Sequence, residues 1–399
     1  MIVADKVVIV GAGPSGLSAA LFLDEMGIPV TVIERGTGPS DDPRAATFHP
    51  PTLELLAPSG VTAELLERGI KSPLWQHRDR KKGLIAALDL SVLSRETEHP
   101  YRLQCEQHKF VQILSKHLAD RPGVEIRYGT DLLSVEQDAD KVMLATTSGP
   151  VACDWLIAAD GGRSLVRKSQ DIVFEGFTYK ERFLVITTNY DFAKRGFAVS
   201  NYIADPDEWC AVFKVPGDRP SGLWRSVFPM DEDEDEETIV RDFASAHARV
   251  ARFVPEQDAF DVVHVNVYNV HQRVASTFRK GRIMLIGDAA HVNNPLGGMG
   301  MNFGIHDAHN LAEKLAAVVK GEADESILDR FSRQRRYAAQ TFLQRMTIQN
   351  KRNLEERDPD LKLAREKELA EIAADEERSR AHLMQTSMIA GYRAANAIE

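Results

Sequence analysis

The chain has little cysteine, no long apolar run, no basic excess and no short internal repeat, and each absence removes a class of protein. Its three cysteines, Cys105, Cys153 and Cys210, are widely spaced and form no C-x-x-C pair. They suit neither a disulfide framework nor a cysteine metal site, so a reducing, cytoplasmic setting is expected, with each thiol a small core residue. No segment approaches the about 18 apolar residues of a membrane span, and the N-terminus passes straight into a strand-like run. Neither a span nor a signal peptide is expected. Lys and Arg number 49 against 59 Asp and Glu, a net charge of −10 that argues against a nucleic-acid partner. Part of that charge is an unbroken acidic run, Asp231 to Glu237, read as a solvated loop or helix start. With 399 residues, 43% of them hydrophobic, two or three domains or one elaborated domain can form.

What is present is concentrated at the start. Val7-Val8-Ile9-Val10 reads as a strand buried on both faces, followed by Gly11-Ala12-Gly13-Pro14-Ser15-Gly16. Gly11 permits the tight turn, Gly13 lets backbone approach a pyrophosphate, and Gly16 lets the next helix pack close. Pro14 suits a first helical turn, and Gly27 and Pro29 end that helix. Val30 to Ile33 is the returning strand, with Glu34 at its end to hold ribose hydroxyls. Strand, glycine turn, helix, second strand and acid in order predict a dinucleotide site.

Two further buried strands also end in acid beside glycine: Asp154 to Ala159 before Asp160-Gly161-Gly162, and Ile283 to Ile286 before Gly287-Asp288. Ligands bind at such strand ends in α/β sheets. Between the strands, a helix is predicted from about His108 to Leu118 and a meander over residues 124–147. Residues 173–270 alternate as an antiparallel sheet broken by one helix near 236–248. From about residue 325 the chain reads helical to its end, with Met384, Met388 and Ile389 on a late stripe suited to the core or to a homodimer partner.

The three strand-end motifs together resemble the class A flavoprotein monooxygenases, the para-hydroxybenzoate hydroxylase family. The matching stretches are Gly11 to Gly16, Ala159-Asp160-Gly161-Gly162-Arg163-Ser164-Leu165-Val166-Arg167, and Gly287-Asp288-Ala289-Ala290-His291 running on to Pro295, Gly297, Gly298, Gly300, Met301 and Asn302. The resemblance spans residues 5 to about 340. It implies an α/β, Rossmann-like FAD-binding domain (1–72, 97–172 and 271–335) with an inserted antiparallel-sheet substrate domain (73–96 and 173–270). Residues 336–399 would form a helical C-terminal region.

It also implies non-covalent FAD, with NADH or NADPH as a transient cosubstrate, because a second G-x-G-x-x-G domain is absent. The implied reaction uses O2 to hydroxylate an electron-rich aromatic or N-heteroaromatic ring through a flavin C4a-hydroperoxide. By the same resemblance Glu34 would bind the adenosine ribose, Arg44 the pyrophosphate, and Gln107 and Asp288 the ribityl chain. Asp160 and Arg167 belong to a motif linked to FAD and pyridine nucleotide, although an Asp before Gly is also ordinary turn chemistry. Ser15, Arg35 and Met301 join the cofactor-binding set from within or beside the matched motifs. Pro295 to Gly298 would lie along the flavin ring, the Pro295 carbonyl near its reactive carbon and Asn302 on its pyrimidine edge.

Substrate contacts are sought on the second sheet, at Tyr202, Phe213, Trp224 and Arg225, with Arg225 able to pair with a carboxylate. His49, His271 and His291 are candidates either for a proton relay or for structural hydrogen bonds. Two other readings share the fold. A flavin halogenase would carry W-x-W, which Trp75, Trp155, Trp209 and Trp224 do not form. A flavin-bound interaction protein would not need the intact loop from Pro295 to Asn302.

Overall fold

The computed structural model describes residues 5–41, 44–254 and 259–399. Its central sheet orders the strands Arg279–Lys280, Ile283–Leu285, Gly149–Ala158, Asp5–Val10, Val30–Ile33 and Val124–Arg127. All but the first pair in parallel. The β-branched run predicts burial on both faces, and Val7, Val8 and Ile9 are 0% exposed. The chain runs outward from Asp5–Val10 to Val124–Arg127, then returns on the other side at Gly149–Ala158. The order therefore reverses beside Asp5–Val10, the crevice where such sheets take ligands.

A second sheet of eight strands has the order His291–Val292, Val262–Ala275, Phe174–Thr188, Leu223–Met230, Cys210–Val215, Ser200–Ala204, Leu74–Asp79 and Gly83–Asp89. The Leu74–Asp79 strand joins it in parallel with Ser200–Ala204, which brings the early hairpin onto this sheet. A small sheet of Thr47–Phe48, Arg102–Gln104 and Ile70–Ser72 has no counterpart among the expected elements. The single helix expected near 236–248 is two, Glu236–Arg241 and Phe243–Ala251. Asp242 has extended backbone there, and its carboxylate caps the second helix at Ala244.

The C-terminal helices pack on the rest of the chain. Ile372, Leu383 and Ile389 meet Trp75, Leu88 and Leu90 of the early hairpin. Met388 packs with Met299, Phe303 and Leu343. Among the described residues no helix is long and apolar enough to cross a membrane.

Close packing fixes the glycine turn. A Cβ on Gly16 would stand 1.9 Å from the Gly11 carbonyl oxygen, whereas one on Gly13 would meet nothing within 4 Å. Gly16→Ala is therefore expected to destabilise the apoprotein by roughly 1–3 kcal/mol or more through overpacking. Gly13→Ala should leave its thermal midpoint unchanged. Thermal unfolding of the two apoproteins checks this, and equal midpoints would contradict it.

Candidate active site

The glycine turn places its groups through neighbouring strands. Gly11 has φ +106° and donates its N–H to the Ile33 carbonyl at 2.8 Å. Glu34 accepts the N–H groups of Ala12 and Gly36, each at 2.8 Å, so its carboxylate is fixed at the mouth of the turn. The Pro14–Glu25 helix begins with no side-chain cap, leaving its first N–H groups to bind an anion. The side chain of Ser15 has a packing role: its Oγ would lie 2.3 Å from a Cβ on Gly287 and 2.2 Å from one on Gly304. Three segments meet around that one hydroxyl. Arg35 and Arg44 are exposed beside this region, and the Gln107 N–H joins it to the Ala45 carbonyl at 2.7 Å.

Asp288 lies in the same groove. Its side chain reaches solvent, yet crowding by protein raises its carboxyl above the ordinary range, with His291 and Arg44 pulling the other way. Asp160 Oδ2 accepts the Val166 N–H at 3.2 Å, while Oδ1 is buried without a protein partner. Burial raises this carboxyl as well, against hydrogen bonds from Ser164 and Val166. Space above Gly13 and Gly161, an uncapped helix start and the orphaned Asp160 oxygen fit a bound dinucleotide.

Arg167, expected as a nucleotide ligand, is buried instead. It donates to the Gly162 and Ala289 carbonyls at 2.9 Å each and stacks over Phe174 at 3.8 Å. It braces the two strand-end loops against each other.

The Pro295 loop is held from several directions. Pro295 is exposed, but its carbonyl accepts the Gly298 N–H at 3.0 Å, which turns it into the loop. Gly297 and Gly298 have φ of +113° and +64°, so the turn needs both glycines. His49 sits 2.8 Å from the Gly297 carbonyl, so its Nε2 must carry the proton. Burial, aided by Arg102, lowers the His49 pKa to about 3, against the pull of that bond. Neutral His49 is a fixed donor.

The Asn302 amide, expected on a flavin edge, makes its hydrogen bonds to protein groups. It is 0% exposed, donating to the Thr47 and Gly298 carbonyls and accepting from the His49 N–H and the Thr52 hydroxyl. Met301 beside it is half-buried and packs on the central core. Asn294 and Leu296 are tied to Gln272 and Asn350.

Across from the loop, Tyr202, Phe213, Ala211 and Val227 share one face of the second sheet with Leu296. Burial raises the Tyr202 phenol to about 12, although Arg102 and a hydrogen bond at Gly297 favour its ionised form. Arg225, expected to meet a substrate carboxylate, donates to the Arg44 carbonyl at 3.0 Å and braces that loop. Trp224 points to the opposite face, packing near Phe192 at 5.5 Å. His271 is exposed and bonded to Thr178, and His291 is buried on Asp307.

A family model described as an FAD binding domain matches residues 5–346. The chain belongs to this family. A para-nitrophenol 4-monooxygenase from Pseudomonas sp. (strain WBC-3) is 35% identical over 393 residues, 98% of this chain and 97% of that protein. A 6-hydroxy-3-succinoylpyridine 3-monooxygenase from Pseudomonas putida is 35% identical, covering 89% and 90%. The crystal structure of a p-nitrophenol 4-monooxygenase from Pseudomonas putida DLL-E4 superposes with a TM-score of 0.91 at 34% identity, covering 98% and 99%. The chain is an FAD-dependent aromatic monooxygenase of class A, as its three motifs suggested.

The hydroxylase holds its third strand-end loop with residues the sequence reading missed. Asp307, 0% exposed, accepts from the Gly287 N–H at 3.0 Å, His291 at 2.7 Å and Arg335 at 2.6 Å. The signal was an acid on the same helix face as Gly304, Ala308 and Leu311. Burial would raise its carboxyl, but His291 and Arg335 outweigh that and hold it at about 2. Because the folded value lies below the unfolded one of about 4, the stabilisation is complete above roughly pH 4 and fades as pH falls toward 2. Asp307→Asn should cost about 3–5 kcal/mol at pH 7, since it strands Arg335 in the core. Urea unfolding should show the gap to wild type narrowing between about pH 4 and 2. A gap that stays constant would contradict this electrostatic account.

Proposed function

We propose that this hydroxylase acts on a single-ring phenol or hydroxypyridine, with the ring held between the Pro295–Gly298 loop and the sheet face of Tyr202 and Phe213. The observation carrying this is the loop itself: its backbone is fixed by His49, Asn302 and Asn350 and faces an aromatic wall. Activity of similar proteins on para-nitrophenol and a hydroxypyridine supports the substrate class. When bound and reduced by NADH or NADPH, FAD supplies O2 activation, from which one oxygen enters the ring.

The chain's own residues do the rest. Glu34 and Arg44 bind the adenosine and pyrophosphate, with the uncapped start of the Pro14–Glu25 helix facing the phosphates. Asp288 holds the ribityl chain. The uncapped start of Gly300–Val319 presents N–H groups to negative charge on the reduced flavin edge. Tyr202, protonated at neutral pH, can donate a hydrogen bond to a ring oxygen, and Leu296 and Phe213 exclude water.

A panel of phenols and hydroxypyridines, scored for hydroxylated product per NAD(P)H consumed, tests the reading. Product should approach one per NAD(P)H for at least one simple phenol. NAD(P)H loss matched wholly by H2O2 across the panel would overturn it.

Cofactor contacts separate by stability. Asp288→Ala should weaken FAD binding about 10- to 150-fold, the worth of one hydrogen bond to a charged group. Asp160→Ala should weaken it less and lower the apoprotein's stability more, because Asp160 accepts the Val166 N–H in the first turn of the Leu165–Ser169 helix. Flavin titration with apoprotein melting gives both quantities, and the reverse ranking would refute these roles.

A further inference from the structure

Beside Tyr202 lies a group of buried nitrogens that the account so far does not use. Arg102 is 4% exposed, its guanidinium 4.2 Å over the Trp75 ring. One terminal nitrogen donates to the Thr386 carbonyl at 3.2 Å, and Nε has no protein partner. His77 stands 4.3 Å from the Trp75 ring and 6.0 Å from Tyr202, and its buried Nε2 is also unpartnered. His382, carried in by the Glu376–Thr386 helix, stacks near Trp75 at 6.4 Å with Nε2 unpartnered.

Buried polar atoms are ordinarily paired, so three orphaned nitrogens around one aromatic wall point to a ligand. The charge of the group sets that ligand's sign. Burial and the nearby arginines, Arg365 and Arg102, lower the His382 pKa to about 4, with Glu368 pulling the other way. His77 is lowered by burial, His382, Arg365 and Arg102. Both imidazoles are neutral at pH 7, while Arg102, lowered to about 10 by burial, remains charged. A metal cation at the imidazoles would meet the guanidinium, so an anion fits better. The group also reaches the loop: Tyr202 packs edge-on to Trp75 at 5.3 Å, and its hydroxyl bonds at Gly297.

We propose that Arg102, His77 and His382 form an anion pocket that takes the negatively charged oxygen substituent of the aromatic substrate, with the C-terminal helices closing it. This rests on the phenol reading above, and it makes the C-terminal segment part of substrate recognition.

The probes are 4-nitrophenol and its neutral methyl ether, 4-nitroanisole, titrated into the oxidised FAD-loaded protein without NAD(P)H. Wild type should bind nitrophenol as its coloured anion, at a pH where free nitrophenol is largely protonated, and bind nitroanisole more weakly. Arg102→Met should weaken nitrophenol binding about 10- to 150-fold and abolish the anion band, with nitroanisole little changed. Arg102→Lys should recover part of the loss. His382→Phe keeps an aromatic ring beside Trp75 and should weaken nitrophenol alone, which covers the case in which Arg102→Met does not fold. Wild-type binding of nitrophenol that neither Arg102→Met nor His382→Phe disturbs overturns the pocket and leaves the phenol reading standing. Failure of wild type to bind either probe overturns both.

Discussion

The Pro295–Gly298 loop has no regular structure of its own, and its shape depends on hydrogen bonds from four parts of the chain. The buried Asn302 amide ties it to the Thr47 strand, and His49 donates to the Gly297 carbonyl. Gln272 of the second sheet binds Asn294, and Asn350 of the C-terminal helices holds Leu296. Gln272 in turn donates to Thr347, close to the π-helical stretch Ala339–Gln344. On the function proposed above, this polar bracing matters, because a displacement of about 1 Å at a reacting centre can cost on the order of 100-fold in rate.

Behind the loop, the two acid-bearing turns are set by sterics and charge together. Ser15 fills the space that only glycine at Gly287 and Gly304 leaves open, which locks the first helix to the Gly300–Val319 helix. Asp307 then gathers the Gly287 N–H, His291 and Arg335 in the core. Asp307 thereby fixes the turn that carries Asp288, and Arg167 braces Gly162 against Ala289 in the same way.

The parts legible in the sequence were those encoded locally. The glycine turn, its flanking strands and Glu34 follow from spacing within thirty-odd residues of chain, and Asp160 and Asp288 from their own short strand-to-glycine stretches. Longer elements with clear periodicity, such as Gln107–Ala119 and Leu223–Met230, also stand where expected. What failed was direction and long-range pairing. Asn302 and Arg225 have the right chemistry for a ligand but find protein carbonyls, which no local pattern reveals. Strands of two or three residues, as at Thr47–Phe48 and Arg102–Gln104, are too short to show a period. The late stripe of Met384, Met388 and Ile389 does pack on the core as expected, but the meeting of His382 with Arg102 and Trp75 shows only in the tertiary packing.

The central claim is that catalysis occurs between the Pro295–Gly298 loop and the Tyr202–Phe213 face. A crystal structure of the FAD-loaded protein with a bound phenol tests it most directly. The account predicts the flavin ring along Pro295 to Gly298, with the phenol in contact with Tyr202 and Leu296. A flavin seated elsewhere, or a phenol bound outside that cleft, would contradict it.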